Sequence, residues 1–150
     1  MLTALEHLDK RFDELRALAN LQRPARGWIR AIREALGMTT AQMAGRLGVQ
    51  QPRTIELERA EADGNITVKS LERAAEALGC RLVYALVPEI PLTETVDARA
   101  SALAEKHLAA VEQTMKLEAQ GVTNEAQRNT AYRKMVEELL NHRARLWDEM

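Results

Sequence analysis

The chain has 150 residues, of which 46% are apolar, 29% charged and only 3% aromatic, and its formal net charge is −1. That length fits one or two small domains. The scarcity of aromatic residues argues against an all-β fold, and the wealth of Ala, Leu, Glu and Arg favours helices. The longest apolar run, Leu82 to Pro88, is far short of the ~20 residues that span a bilayer. The opening residues mix acids with apolar side chains and do not read as a signal peptide. A single cysteine, Cys80, leaves no internal disulfide and no cysteine-based zinc site. These features point to a cytoplasmic protein without membrane association.

Taken in chain order, residues 2–22 read as one amphipathic helix, with Leu5, Leu8, Phe12, Leu15 and Ala19 recurring every three or four positions. Pro24 and Gly27 break it. A second helix runs from Trp28 to Leu36, and Gly37 stops it. Thr39 caps a third, with Gln42 at the capping-box position, and that helix ends at Gly48. The fourth helix begins after Gln50, carries Pro52 in its first turn and runs to about Ala62. Asp63-Gly64-Asn65 is a turn, and Thr67 caps a fifth helix that ends at Gly79. Leu82–Val87 reads as a lone strand. Its backbone groups need a second strand, which a second copy of the chain supplies in a symmetric dimer. Cys80, just before it, reads as a small buried apolar residue. Pro88 and Pro91 mark a linker. Residues 94–119 and 125–148 form two further helices joined by a turn at Gly121, an antiparallel hairpin. The divisions are therefore 1–22, 23–92 and 93–150.

Charge is unevenly spread. Residues 23–59 hold seven arginines and no lysine against three glutamates, a surplus of four positive charges, and the other segments are acidic. A local basic patch points to an anionic partner. Within this patch, residues 40–58 have helix-turn-helix spacing. Ala44 is small enough for two helices to cross closely, Gly48 sits where the turn needs a positive φ, Val49 fills the space beneath it, and Leu47 and Leu57 face the core. The second helix then presents Gln50, Gln51, Arg53 and Glu56. Gln pairs with adenine and Arg with guanine through two hydrogen bonds each, and Glu can accept from a cytosine amine or repel phosphate. The helix starts at Thr40 and Gln50 offer N–H groups to phosphate oxygens, with Gln42, Arg46 and Arg26 beside them.

With its flanking helices, this block resembles the lambda-repressor-like, XRE-type DNA-binding domain over about residues 28–80. The resemblance implies an all-α chain: a five-helix repressor-like domain followed by the short strand, preceded by the N-terminal helix and followed by the hairpin. Thr54 departs from that pattern, standing where Val or Ile is usual, and its hydroxyl needs a local acceptor. The loop 60–65 is longer and more acidic than usual. A narrower resemblance rests on Arg23-Pro24, Gly-Trp-Ile-Arg-Ala-Ile-Arg-Glu-Ala-Leu-Gly-Met (27–38), Gln-Pro-Arg (51–53), Leu-Glu-Arg-Ala-Glu-Ala (57–62), Lys-Ser-Leu (69–71) and residues 74–88. Over most of its length the chain resembles the mobile mystery protein A family, which implies a bacterial regulator beside a Fic-domain partner, in an arrangement like a toxin–antitoxin pair. The Fic catalytic motif itself is absent. Thr54, Ser101 and Thr114 each precede a Glu by four positions, but Arg59, Lys106 and Ala119 follow where an inhibitory Fic motif has Gly or Asn.

His7, His107 and His142 lack metal-ligand spacing, and no nucleophile motif or phosphate loop is present, so an enzyme and a cofactor are not expected. Trp28 reads as a packing anchor between the first two helices, with DNA contact as the alternative. Trp147, with Arg143 and Arg145, is a candidate partner contact, or closes the hairpin against Met115. The functional expectation is a repressor binding a palindromic operator as a dimer. The alternative is an interaction module that masks a partner protein.

Overall fold

A computed structural model describes residues 3–118 and 124–148. Among them are seven α-helices: α1 (Ala4–Leu15), α2 (Trp28–Ala35), α3 (Thr40–Leu47), α4 (Gln51–Asp63), α5 (Val68–Ala77), α6 (Leu92–Leu117) and α7 (Glu125–Asn141). Short 3-10 segments follow α1 and α7, at Arg16–Leu18 and Arg143–Trp147. The chain divides into two units, residues 20–86 and residues 1–19 with 87–150.

In residues 20–86, α2 to α5 close around Ile29, Met43, Ala74 and Leu78, with Ile32, Met38, Leu47, Ile66 and Leu71 packed against them. The local signals act where the sequence puts them. Thr39 and Gln42 form a reciprocal capping box. Gly48 ends α3 at φ 70°, and Thr67 accepts from Ser70 N–H to start α5. Pro52 lies in the first turn of α4, where its missing N–H removes no bond.

Two buried ion contacts hold this unit beyond its apolar core. Arg33 and Glu58 are both buried and paired; a second guanidinium nitrogen of Arg33 donates to Glu58 at 3.2 Å, and a third donates to the Met38 carbonyl. The hydrogen bonds from Glu58 hold the Arg33 guanidinium above its ordinary pKa. The second contact is Glu61. The start of α2 has Gly27 as its cap, with no side chain to accept from the free N–H groups. The buried Glu61 carboxylate, carried on α4, accepts from Trp28 N–H at 3.0 Å and Ile29 N–H at 2.8 Å. Arg23 fastens the same turn by donating to the Glu61 and Ala62 carbonyls. A Cβ on Gly27 would stand 2.5 Å from Glu61 Oε1, and the residue sits at φ 89°, so both the space and the backbone require glycine there.

In the other unit, α6 and α7 are antiparallel: Arg128 near the start of α7 reaches Glu105 and Glu112 on α6, and Arg99 near the start of α6 donates to the Leu146 carbonyl. Val96, Ala100 and Leu146 are buried together, with Leu5 of α1 and Leu103, Val136, Leu139 and Leu140 against them. α1 therefore shares a core with α6 and α7. Here too a carboxylate serves a distant helix start. Pro91 caps α6 without a side-chain acceptor, and Asp9 of α1 accepts from Leu92 N–H at 2.6 Å and Thr93 N–H at 2.9 Å.

Several expectations are corrected. Residues 20–86 contain four helices, not five. No strand occurs among the described residues; Leu82–Val87 carries no regular structure, since a strand needs a ladder partner that one copy does not offer. The N-terminal helix does not run through 2–22 but leaves α geometry at Leu15, and Leu18 and Leu21 beyond it are exposed. α7 ends at Asn141 rather than 148. Cys80 is exposed rather than buried, and Trp28 is partly exposed rather than a packing anchor. The turn at Gly121 lies outside the described residues.

Two outcomes follow. Glu61→Ala strands two helix-start N–H groups, one of them buried, and should lower the stability of residues 20–86 by ~1–3 kcal/mol. Gly27→Ala should act in the same direction. Urea unfolding followed by Trp28 fluorescence in a Trp147→Phe background reads both, and an unchanged midpoint contradicts the capping role. For Asp9, burial pushes the carboxyl up, but the hydrogen bonds from Thr93 and Leu92 outweigh it, and its pKa lies below the usual aspartate value. Its contribution is present above the unfolded-state pKa of about 3.9 and is lost as pH falls through the lower folded value. Acid titration of Trp147 emission in a Trp28→Phe background should show that loss, and Asp9→Asn should remove it.

Candidate nucleic-acid interface

α3 and α4 are joined by Gly48, Val49 and Gln50, and the left-handed turn at Gly48 turns the chain so that α4 crosses α3. The Gly48 N–H donates to Gly45 and the Val49 N–H to the Ala44 carbonyl, closing the end of α3. One side-chain bond then ties the two helix starts: Gln51 Nε2 donates to Thr40 Oγ1 at 2.8 Å. Both starts carry N–H groups without intrahelical partners and the positive end of a helix dipole, a pairing suited to phosphate oxygens on either side of a groove.

The burial pattern sets which face of α4 looks out. Thr54, Glu58 and Glu61 are buried and Leu57 is partly buried. At about 100° per residue these define the inward side. Gln50, Gln51, Pro52, Arg53, Ile55, Glu56 and Arg59 are exposed. Gln51 lies on the flank towards α3. Arg53 lies on the flank towards α5, where it lines a small hollow with Ser70 and Arg73. Arg53 also pairs with Glu56 at 3.2 Å, one turn on. Both groups are well exposed, and such pairs are worth ~0–1 kcal/mol, so Arg53 is free to exchange Glu56 for another acceptor.

The remaining sequence candidates are placed differently. Thr40 is partly buried at the start of α3 and is held by Gln51. The carbonyl oxygen of Gln42 accepts from Thr39 N–H at 2.9 Å in the capping box, which leaves its amide N–H groups facing out. Arg46 Nε donates to the Ala77 carbonyl at 2.6 Å, at the end of α5, so this arginine ties α3 to α5. Arg26 is exposed in the turn before α2. In the other unit, Arg143 and Trp147 are exposed on the segment after α7.

The arginine surplus resolves into individual pairs. All three glutamates of residues 23–59 are engaged: Glu34 with Arg30, Glu56 with Arg53 and Glu58 with Arg33. The four surplus charges therefore fall on Arg23, Arg26, Arg46 and Arg59. Charge counting located the patch but not these pairings, because Arg33 and Glu58 meet across 25 residues. Ile55 and Arg59 escaped the sequence reading, although their signal was there: with Gln51 they repeat at intervals of four and so share a helix face. The Thr54 hydroxyl is fully enclosed and finds no partner among the described residues.

Over residues 29–84 the chain matches the helix-turn-helix family. That stretch covers nearly all of α2, then α3, α4 and α5, and contains the paired helix starts, so this part of the chain is similar to a helix-turn-helix. No match to the chain was found among curated proteins or among solved structures. No helix among the described residues is long and apolar enough to cross a membrane.

Proposed function

We propose that the protein is a sequence-specific transcriptional repressor that binds a palindromic operator as a dimer in the cytoplasm. The observation that carries this reading is the bond from Gln51 to Thr40, which fixes two helix starts side by side with Gln50, Gln51, Arg53 and Glu56 exposed on the second. Gln50 and Gln51 read adenine, Arg53 leaves Glu56 to read guanine, and Glu56, once freed, accepts from a cytosine amine. Thr40, Gln42 and Arg26 take phosphate oxygens. Arg46 serves by holding α3 in place. Arg53→Ala should weaken binding to the cognate site by ~1–3 kcal/mol and relax specificity at one base pair, whereas Arg26→Ala should weaken all sequences alike and reduce the salt slope by about 0.9. Gel shifts across a salt series on DNA from upstream of the coding frame measure both. Unchanged binding by Arg53→Ala overturns the assigned face.

The dimer is supported by residues 82–87. Val83 is 81%, Tyr84 70% and Leu86 90% exposed, a β-prone apolar run with no partner for its backbone among the described residues. Pairing with the same segment of a second copy satisfies those groups, hides the apolar side chains and sets two reading helices about one DNA turn apart. Sedimentation should show a dimer that Val83→Asp with Leu86→Lys converts to monomer. A wild-type monomer at tens of micromolar overturns it.

A second reading has the protein also mask a Fic-domain partner, in the manner of an antitoxin. The observation favouring it is Trp147, 55% exposed beside Asp148 and close in sequence to the exposed Arg143 and Arg145. Trp147→Ala combined with Arg143→Ala should abolish co-purification with a Fic-type protein encoded alongside. Undiminished recovery contradicts the masking role.

A further inference from the structure

We propose that Ile55 is a specificity-determining residue that recognises the C5-methyl group of a thymine in the major groove. The inference rests on α4 being the reading helix. α4 inverts the usual amphipathic order: its buried positions hold Thr54, Glu58 and Glu61, while Ile55 is 42% exposed. Ile55 is not among the apolar side chains that form or pack against the core of residues 20–86, so that core does not account for an isoleucine on the exposed side of a helix that buries polar side chains. Ile55 shares its face with Gln51 one turn before and Arg59 one turn after, both exposed and polar, so it lies within the row that would face the bases rather than at the edge of it. Gln51 is itself fixed by Thr40 Oγ1, so the row has a rigid reference point.

The chemistry selects the ligand. An apolar side chain has nothing to exchange with a hydrogen-bonding base edge, and thymine alone presents a methyl group in the major groove. Isoleucine is branched at Cβ and holds one strongly preferred χ1 in a helix, so it presents its methyl groups at fixed positions with little ordering cost. One turn of helix advances about 5.4 Å and one base pair about 3.4 Å, which sets the thymine one or two base pairs from the base that Gln51 reads.

The test uses the full-length chain. A site is first enriched from random duplex DNA with the wild-type protein, and each thymine in it is then replaced singly by deoxyuridine, which pairs identically but lacks the methyl. At one thymine per half-site, wild-type binding should fall about threefold to fivefold, the worth of roughly one buried methylene. Ile55→Ala should bind the thymine and deoxyuridine forms of that position equally, and Ile55→Val should keep part of the preference. Wild-type indifference to every replacement overturns the inference while leaving the DNA-reading role of α4 intact. So does an Ile55→Ala variant that still distinguishes thymine, or one that loses only self-association, which would assign Ile55 to a second copy. Failure to enrich any sequence overturns both this inference and the reading of α4 beneath it.

Discussion

The fold depends on carboxylates placed at helix starts that cannot cap themselves. The cap residues of α2 and α6 are Gly27 and Pro91, and neither has a side-chain acceptor. Each start would leave N–H groups unsatisfied, and each is served instead by an acid on another helix: Glu61 of α4 for α2, Asp9 of α1 for α6. The favourable alignment with the helix dipole adds to the hydrogen bonds. Because these acids come from partner helices, capping and tertiary packing become the same event. α2 cannot be properly begun until α4 lies against it, and α6 cannot until α1 does.

For α4 this has a direct structural meaning. α4 points three polar groups inward, and two of them, Glu58 and Glu61, engage α2 through Arg33 and through the α2 backbone. α4 is thus held from behind by directional contacts rather than by apolar packing, which fixes its rotation about its own axis. That rotation decides which side chains face outward. The exposed row of Gln51, Ile55 and Arg59 follows from where Glu58 and Glu61 are anchored.

What could be read from the amino-acid order was local. The Thr39–Gln42 box, the Gly48 turn, Pro52 at the start of α4 and the Thr67 cap each act within three or four residues, and each is present. The helix-turn-helix spacing was legible for the same reason. The contacts that set the two cores were not: Glu61 and Ile29 are 32 residues apart, and Asp9 and Thr93 are 84. No periodicity marks an acid as the cap of a remote helix, and in the sequence Glu61 looked like an ordinary member of an acidic loop. Gly27 read as a breaker, although its reason is the carboxylate it admits. The strand at 82–87 was expected from β-propensity alone, and propensity says nothing about whether a ladder partner exists within one copy.

The internal pairing of every glutamate in residues 23–59 shapes how this protein would meet a polyanion. With an overall charge of −1, the molecule exerts almost no attraction at a distance, and its surplus of positive charge is confined to the unneutralised arginines of one region. At physiological ionic strength fields fade within about 8 Å, so those arginines act essentially on contact. Encounter with a duplex would then be governed by diffusion and by the fit at touching range. Diluting the salt would lengthen the reach of the acidic segments as well as the basic one, so capture should quicken less than it does for a uniformly basic binder.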